Sequence, residues 1–209
     1  MKYRLLKHYL PLIISSVILG VISHFIWPKK DWITLVADVT GYIAIVVIAV
    51  TLIIGPLNIL LNRKNPVTSY FRRDCGISGG ILAVIHSISG LFVHLRGNMW
   101  QYFTEKTGTD YKIRLDDFGI ANYTGLLSTL LILALLATSN DYFFLKLKVT
   151  QWKNIQRLSY LMVILALIHI VYYRLNNLGL VYSFYLPMIS TILAFQVYGF
   201  ITVKRKLKS

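Results

Sequence analysis

The apolar residues of this chain fall into six long runs with few charges, separated by short segments that hold most of the Lys and Arg residues. A helix needs about 20 residues to cross a bilayer core of about 30 Å, and each run is long enough to form such a helix. The runs cover approximately residues 9–27, 33–59, 75–96, 119–138, 156–175 and 180–202. The pattern predicts an all-α polytopic membrane protein, a bundle of six transmembrane helices that forms a single domain over residues 1–209.

The composition excludes a soluble domain with a polar surface. Hydrophobic residues make up 56% of the 209 residues and charged residues 14%, and the mean hydropathy is +0.62. The net charge of +14 comes mostly from the short segments between apolar runs, where Lys and Arg set topology and contact anionic lipid. We therefore expect membrane lipid and no nucleic acid as a partner. The single cysteine, Cys75, excludes a disulfide within the chain.

The distribution of basic residues predicts the orientation. Placing the N-terminus inside and alternating sides puts 15 of the 22 Lys and Arg residues in the cytoplasm, whereas five of the eight Asp and Glu residues lie outside. Cytoplasmic loops are enriched in Lys and Arg, so both termini are expected to be cytoplasmic in a multi-pass protein of the inner (plasma) membrane. The first run lacks a small-residue cleavage pattern, and we expect a spanning helix there and not a removed signal peptide.

His86 lies in the third run, which has no charge over residues 75–95. A polar side chain at membrane depth is costly unless something satisfies it, so His86 requires a partner. On a helix, Gly79, Ala83 and Gly90 lie on the same side as His86. This face leaves room for a flat group such as a porphyrin to approach the backbone while the imidazole binds it. The alternative is that the small residues pack against another helix and His86 hydrogen-bonds across it.

His169 lies in the fifth run, and its depth matches that of His86. His86 comes 13 residues after Arg73, and His169 comes 12 residues after Arg157. At 1.5 Å per residue, both histidines lie about 18 to 20 Å beyond the inner arginines. Two neutral imidazoles at one level on two parallel helices can take both axial positions of a single haem iron. Helix-packing histidines at the same level are the alternative.

Two further histidines define a possible second site. His94 is eight residues after His86, rotated by about 80° on a helix, so it does not bind the same iron. His24 lies near the outer end of the first run. In the second run, Pro56 predicts a kink or a helix end, which is tolerated where a neighbour satisfies the freed carbonyl. No periodic repeat is evident, and the longest connection, residues 96–118, is mixed in charge and aromatic, typical of an interfacial belt.

Several short motifs together resemble the ferric reductase-like transmembrane proteins and, within them, the MsrQ-type haem subunits. The similarity spans most of the chain and depends on the order and spacing of the motifs. These are Thr40-Gly41-Tyr42-Ile43-Ala44, Thr51 to Leu57 with Gly55-Pro56, Arg72-Arg73 before His86, Tyr123-Thr124-Gly125 with Ser128, Ala137-Thr138-Ser139, and Trp152 to Leu161 before His169.

The resemblance implies that His86 and His169 are the axial ligands of a b-type haem. The family has His where this chain has Gln156, and an amide is a poor ligand for haem iron, so one haem is expected and a second lacks a ligand. The family has Arg where this chain has Tyr42, which removes a cation that would pair with a haem propionate or a quinone. Arg96 and Arg174, expected near the outer helix ends, are candidates to supply that charge; surface solvation is the alternative for both.

These observations predict a membrane electron carrier, the electron-transfer subunit of an oxidoreductase system. Electrons would pass from a cytoplasmic flavin reductase or membrane quinol to an extracytoplasmic acceptor, which by resemblance is a methionine sulfoxide reductase catalytic subunit. Whether FMN also binds stays open. No Gly-rich dinucleotide fingerprint follows a strand, so NAD(P)H chemistry must come from another protein. The alternatives are a direct transmembrane ferric reductase and a cofactor-free transporter or assembly protein, whose histidines would serve as polar contacts or proton sites.

Overall fold

Helices dominate the chain in the computed structural model, which describes residues 5–63, 70–96 and 98–206. The helices and strands are α1 Leu10–Ile26, α2 Trp32–Leu60, α3 Tyr70–Gly90, β1 Thr104–Thr107, β2 Asp110–Ile113, α4 Asp117–Thr138, α5 Asp141–Lys146, α6 Val149–Gln156, α7 Leu158–Tyr173 and α8 Leu186–Lys206. Short π-helical turns, Leu5–Tyr9 and Val181–Tyr185, precede α1 and α8. Four of the basic residues predicted to be cytoplasmic lie outside the described residues: Lys2, Arg4, Lys64 and Lys208.

The helical content confirms the predicted class, an all-α polytopic membrane protein. Five stretches of the described chain are long and apolar enough to cross a membrane: Leu6–Ile26, Trp32–Leu60, Asp117–Thr138, Thr150–Tyr173 and Val181–Lys206. The third predicted span does not meet this criterion, because α3 begins with Arg72, Arg73 and Asp74 and is rich in Gly and Ser. Helix α3 packs against α2 and α4, so its neighbours shield part of its surface from lipid.

The end of α3 differs from the prediction, which continued the helix to residue 96. The helix stops at Gly90, where the bond that would join the His94 N–H to the Gly90 carbonyl is replaced by a bridge through the Tyr102 hydroxyl. That hydroxyl donates to Gly90 O at 3.1 Å and accepts from His94 N at 3.0 Å. A polar side chain inserted into a helical ladder in this way ends or bends the helix. His94 therefore lies in the turn after α3 and not on the helix.

The long connection between α3 and α4 contains an antiparallel hairpin that the sequence pattern did not predict. Strand β1 pairs with β2 so that Thr104 is opposite Ile113 and Thr107 is opposite Asp110. Gly108 supplies the turn with a φ of +68°, a conformation that glycine adopts without steric cost. The strands have four residues each, too short for their alternation to stand out in a charged loop.

The long helices form two pairs, α2 with α3 and α4 with α7, and contacts between α3 and α4 join the pairs. Small residues allow the helices of a membrane bundle to approach closely. Gly79 of α3 is one of these, because an added Cβ would lie 2.9 Å from a side-chain carbon of Ile48 on α2. The shared core contains Ala44, Leu52, Ala83, Ile132, Met162 and Ile192. The bundle end at which α3 and α7 finish is called the histidine end below.

The first helix is attached to the bundle by a buried carboxylate at the other end. Asp74, near the start of α3, has no solvent exposure. Its two oxygens contact His8 Nδ1 at 2.5 Å and accept from the Tyr9 hydroxyl at 2.9 Å. Because a buried carboxylate is costly without partners, this contact fixes the N-terminal segment on α3.

Pro56 lies inside α2, and the helix continues through it to Leu60. Proline has no N–H, so the carbonyl four residues earlier, that of Leu52, loses its helical partner. The side-chain amide of Gln196 on α8 donates to this carbonyl at 2.8 Å. The expectation that a neighbour satisfies the freed carbonyl is confirmed.

The Gln196 contact gives a first testable prediction. Gln196→Leu leaves the Leu52 carbonyl unpaired within the bundle, and we expect a loss of about 1–3 kcal/mol of stability, measured as a lower thermal unfolding midpoint in detergent. In a Pro56→Ala background the N–H of residue 56 can donate to Leu52 O, so the same substitution should cost less, and only the bond from the Tyr160 hydroxyl to Gln196 is lost in both backgrounds. Equal losses in the two backgrounds would show that Gln196 does not act through this carbonyl.

Candidate metal centre

His86 and His169 face each other across the interface between the two helix pairs. Their ring centres are 6.2 Å apart and their ring planes are nearly perpendicular, at 82°. Each histidine comes four residues before the end of its helix, Gly90 for α3 and Tyr173 for α7. The pair therefore lies about 6 Å inside the histidine end, at 1.5 Å per residue. His86 and His169 thus lie at the same depth, as residue counting predicted, and their rings are neighbours.

Each imidazole makes the same hydrogen bond to the neighbouring helix of its own pair. His86 Nδ1 contacts the carbonyl of Ala37 on α2, and His169 Nδ1 contacts the carbonyl of Ala121 on α4, both at 2.7 Å. A carbonyl only accepts, so Nδ1 carries the proton in both rings. Nε2 then keeps its lone pair. Metal-binding histidines are commonly oriented in this way by a backbone carbonyl.

A glycine lies directly against each ring. A Cβ added at Gly41 would be 2.7 Å from His86 Nδ1, and one added at Gly125 would be 2.6 Å from His169 Nδ1. Both distances are shorter than side-chain contacts allow. Gly41 and Gly125 thus form the space that each imidazole occupies.

These contacts belong to a repeat that sequence analysis missed. The pattern Ala-x-x-Thr-Gly occurs at 37–41 and again at 121–125. In both copies the threonine hydroxyl bonds back to its own helix, Thr40 to the Val36 carbonyl and Thr124 to the Ile120 carbonyl. The copies are 84 residues apart and the histidines 83. Because the two spacings are nearly equal, the sequence could have indicated that each histidine is matched with one copy of the motif.

The small residues predicted to surround the metal centre have different environments. Gly79 packs against Ile48, as the helix-packing alternative described, and Ala83 is part of the apolar core. Gly90 faces open space, with no atom within 4 Å of an added Cβ. Among these three residues, Gly90 is the one with space beside it for another group.

The two arginines proposed as cations both lie at the histidine end. Arg174 follows α7 and donates to the hydroxyl of Tyr42 at 2.7 Å, so a guanidinium stands beside the position where the family pattern has Arg. Arg96 pairs with Asp31 at 2.6 Å. The Thr34 backbone N–H and, secondarily, this Arg96 guanidinium hold the pKa of Asp31 below its ordinary value.

The histidines of the possible second site are held separately by aromatic contacts. His94 is exposed and stacks on Tyr173 with ring centres 6.2 Å apart, and the Tyr173 ring is in turn 4.9 Å from His169. An aromatic series thus leads from the His86–His169 pair to the surface. His24 stacks on Trp32 at 4.3 Å, at the junction of α1 and α2.

Gln156 lies at the opposite end of the bundle from the histidine pair. It precedes α7 by two residues and His169 by 13, about 20 Å at helical rise. Its amide is 3.4 Å from the hydroxyls of Thr138 and Ser139. These are long hydrogen bonds between helix ends.

The separation of the two rings is that expected for two imidazoles that hold one metal ion between them. A bond between imidazole nitrogen and a transition metal is about 2 Å long, so two imidazoles on opposite sides of one ion have ring centres about 6 Å apart. The observed 6.2 Å agrees with this value. In the described part of the chain no group of three or more His, Cys, Asp and Glu side chains is placed to hold a metal. Two protein ligands are sufficient for an iron whose other ligands come from a porphyrin.

Comparison with known proteins identifies the family. Residues 40–167 match the model of the ferric reductase-like transmembrane component. The matched segment includes Gly41, His86 and Gly125 and ends two residues before His169. No curated protein and no solved structure matches the chain. Because the match covers more than half of the 209 residues, the chain belongs to the ferric reductase-like transmembrane component family.

Proposed function

We propose that this protein carries electrons across the membrane with one b-type haem bound between His86 and His169. Its family supports a role in transmembrane electron transfer. The observation that carries the haem assignment is the facing pair of imidazoles, 6.2 Å apart, each with Nδ1 bonded to a carbonyl and Nε2 left to bind a metal. Haem, when bound, supplies one-electron chemistry at its iron.

The residues of the chain would determine what the bound group does. The carbonyls of Ala37 and Ala121 orient the rings and increase the basicity of Nε2. His86 and His169 would both hold the haem, and the bound group would then supply outer-sphere electron transfer and not oxygen binding. Arg174, which donates to the Tyr42 hydroxyl, would supply a cation for a propionate. Gly90 would leave room for the edge of the macrocycle.

The proposal is limited to one haem. Gln156 cannot replace a histidine ligand, and its amide is directed to the hydroxyls of Thr138 and Ser139. We therefore propose a haem-to-protein ratio of one. The ring series through Tyr173 makes His94 the candidate surface end of the electron path, whereas His24 stacks on Trp32 and is not part of that series.

The partners are proposed from the MsrQ-type resemblance. The electron donor would be a cytoplasmic flavin reductase or membrane quinol, and the acceptor an extracytoplasmic protein, with a methionine sulfoxide reductase catalytic subunit as the first candidate. Both chain termini would be cytoplasmic. FMN is an additional candidate cofactor, and direct reduction of ferric iron outside the membrane is the nearest alternative activity.

A cofactor-free transporter or assembly protein is the second candidate function. The same carbonyl bonds that orient His86 and His169 join helices within each pair, as polar side chains do in membrane bundles without a cofactor. Under this alternative, Nε2 of each ring would have no metal to bind.

A reduced-minus-oxidised visible spectrum of the purified protein separates these functions. After expression with adequate haem supply, we expect the α and Soret bands of a low-spin bis-histidine haem, and a pyridine haemochrome assay should give one haem per chain. Absence of haem bands in a protein that elutes as a single folded species would reject the electron carrier and leave the cofactor-free candidate. A ratio of two would contradict the single-site assignment.

A further inference from the structure

We propose that the hairpin β1–β2 rests with one face on the lipid surface at the histidine end of the bundle. Cross-strand partners in a sheet lie on the same face, and neighbours along a strand lie on opposite faces. The register therefore places Thr104, Lys106, Tyr111 and Ile113 on one face, here called the tyrosine face. The other, here called the acidic face, has Glu105, Thr107, Asp110 and Lys112.

The tyrosine face exposes large apolar groups. Tyr111 is 64% exposed and Ile113 68%. Leu115, two residues further along the same alternation, is 75% exposed. Isolated exposed apolar side chains are ordinary, but a contiguous row on one face marks a surface that contacts something other than water.

The hairpin begins and ends beside the end of α3 and the start of α4. Tyr102, just before β1, is 1% exposed, and its hydroxyl bonds to the carbonyl of Gly90 at the end of α3. Tyr123 on α4 donates to the carbonyl of Phe103. Asp117, four residues after Ile113, starts α4, which is one of the candidate membrane spans. These contacts hold the base of the hairpin against the helix ends.

The distribution of charge favours lipid as the occupant of the tyrosine face. Both carboxylates of the strands, Glu105 and Asp110, are on the acidic face, and the only charge among the four strand residues of the tyrosine face is Lys106. A lysine beside tyrosine and aliphatic side chains is the combination found at membrane interfaces, where the lysine stem lies along apolar groups and the ammonium reaches anionic headgroups. A water-soluble partner would consequently meet the acidic face. This assignment is independent of haem binding.

Spin labels on adjacent residues test the proposal, because Tyr111 and Lys112 point to opposite faces. Tyr111→Cys and Lys112→Cys variants, each carrying a nitroxide, are reconstituted in nanodiscs of phosphatidylcholine and phosphatidylglycerol. Collision with oxygen, which concentrates in lipid, is compared with collision with a water-soluble nickel complex. Cys75 is buried, and wild-type protein treated in parallel corrects for any label that it takes up.

We expect the ratio of oxygen to nickel collision to be several-fold higher at residue 111 than at residue 112. A second pair, Ile113→Cys on the tyrosine face and Asp110→Cys on the acidic face, should show the same contrast, so the result does not depend on one variant. Equal ratios on the two faces, or a higher ratio on the acidic face, would overturn the proposal. High nickel access at both 111 and 113 would show that the tyrosine face meets water and would likewise overturn the proposal.

Discussion

Replacement of either His86 or His169 by alanine is expected to remove haem from the purified protein. Loss of a residue that merely orients a metal ligand typically weakens metal binding by about 10- to 100-fold, so loss of the ligand itself should have a larger effect. The two variants should lose haem to a similar extent, because each histidine contacts one backbone carbonyl and one glycine in an equivalent arrangement. Haem content per folded chain, measured after gel filtration, is the readout.

A matched variant and a rescue experiment distinguish ligand loss from unfolding. Gln156→Ala changes a polar residue on the other side of the bundle and should keep one haem; loss of haem in that variant would show that the ligand assignment is wrong. In His86→Ala, added imidazole should restore a low-spin spectrum, because a free imidazole can occupy the space that the side chain leaves. Full haem content in both histidine variants without imidazole would exclude the pair as ligands.

Hydropathy and residue counting predicted the large-scale features of this protein. Five of the six predicted spans follow from run length, because every segment that crosses a bilayer must satisfy its backbone internally and present apolar side chains. The depth of His86 and His169 follows from the fixed rise of a helix, and the two rings do meet. The sequence could not predict the rotation of each helix about its axis, which depends on lateral packing and decides which side chains face each other.

Gly79 and Gly41 show the consequence of that uncertainty. Gly79 shares a face with His86 and was expected to make room for a cofactor, but the space beside it is occupied by Ile48 of α2. The glycine that makes room for the His86 ring is Gly41, on the neighbouring helix. From the sequence alone, a glycine that packs against a helix cannot be told from one that leaves space for a ring. Only the contacts between helices in the folded structure distinguish the two roles.

Interactions at the ends of helices were the least predictable. The end of α3 at Gly90 depends on a hydroxyl twelve residues later, that of Tyr102, and no local propensity encodes such an insertion. The position of Arg174 beside Tyr42 joins residues 132 apart in the sequence. Its role as a candidate cation was a prediction from the sequence, whereas its tyrosine partner required the folded structure.

Gly41→Ala and Gly125→Ala are expected to weaken haem binding although neither residue has a side chain that binds metal. The added Cβ would lie 2.7 Å from His86 Nδ1 in the first variant and 2.6 Å from His169 Nδ1 in the second. The ring must therefore move, and its Nδ1 bond to the carbonyl of Ala37 or Ala121 is lost or distorted. Overpacking of this kind costs about 1–3 kcal/mol, which corresponds to a roughly 5- to 150-fold weaker binding of haem.

The appropriate control is Gly20→Ala, because Gly20 lies on α1 with no atom within 4 Å of an added Cβ. Titration of haem into apoprotein should give wild-type affinity for this control and reduced affinity for Gly41→Ala and Gly125→Ala. Gly41 and Gly125 have equivalent positions in the repeat, so the two substitutions should weaken haem binding by similar factors. Two unrelated packing defects would be expected to differ in size. Wild-type affinity in both variants would mean that the ring positions at Gly41 and Gly125 are not those of the haem-bound protein. A loss in only one variant would restrict the ligand assignment to the histidine beside the substituted glycine and remove the argument from the repeat.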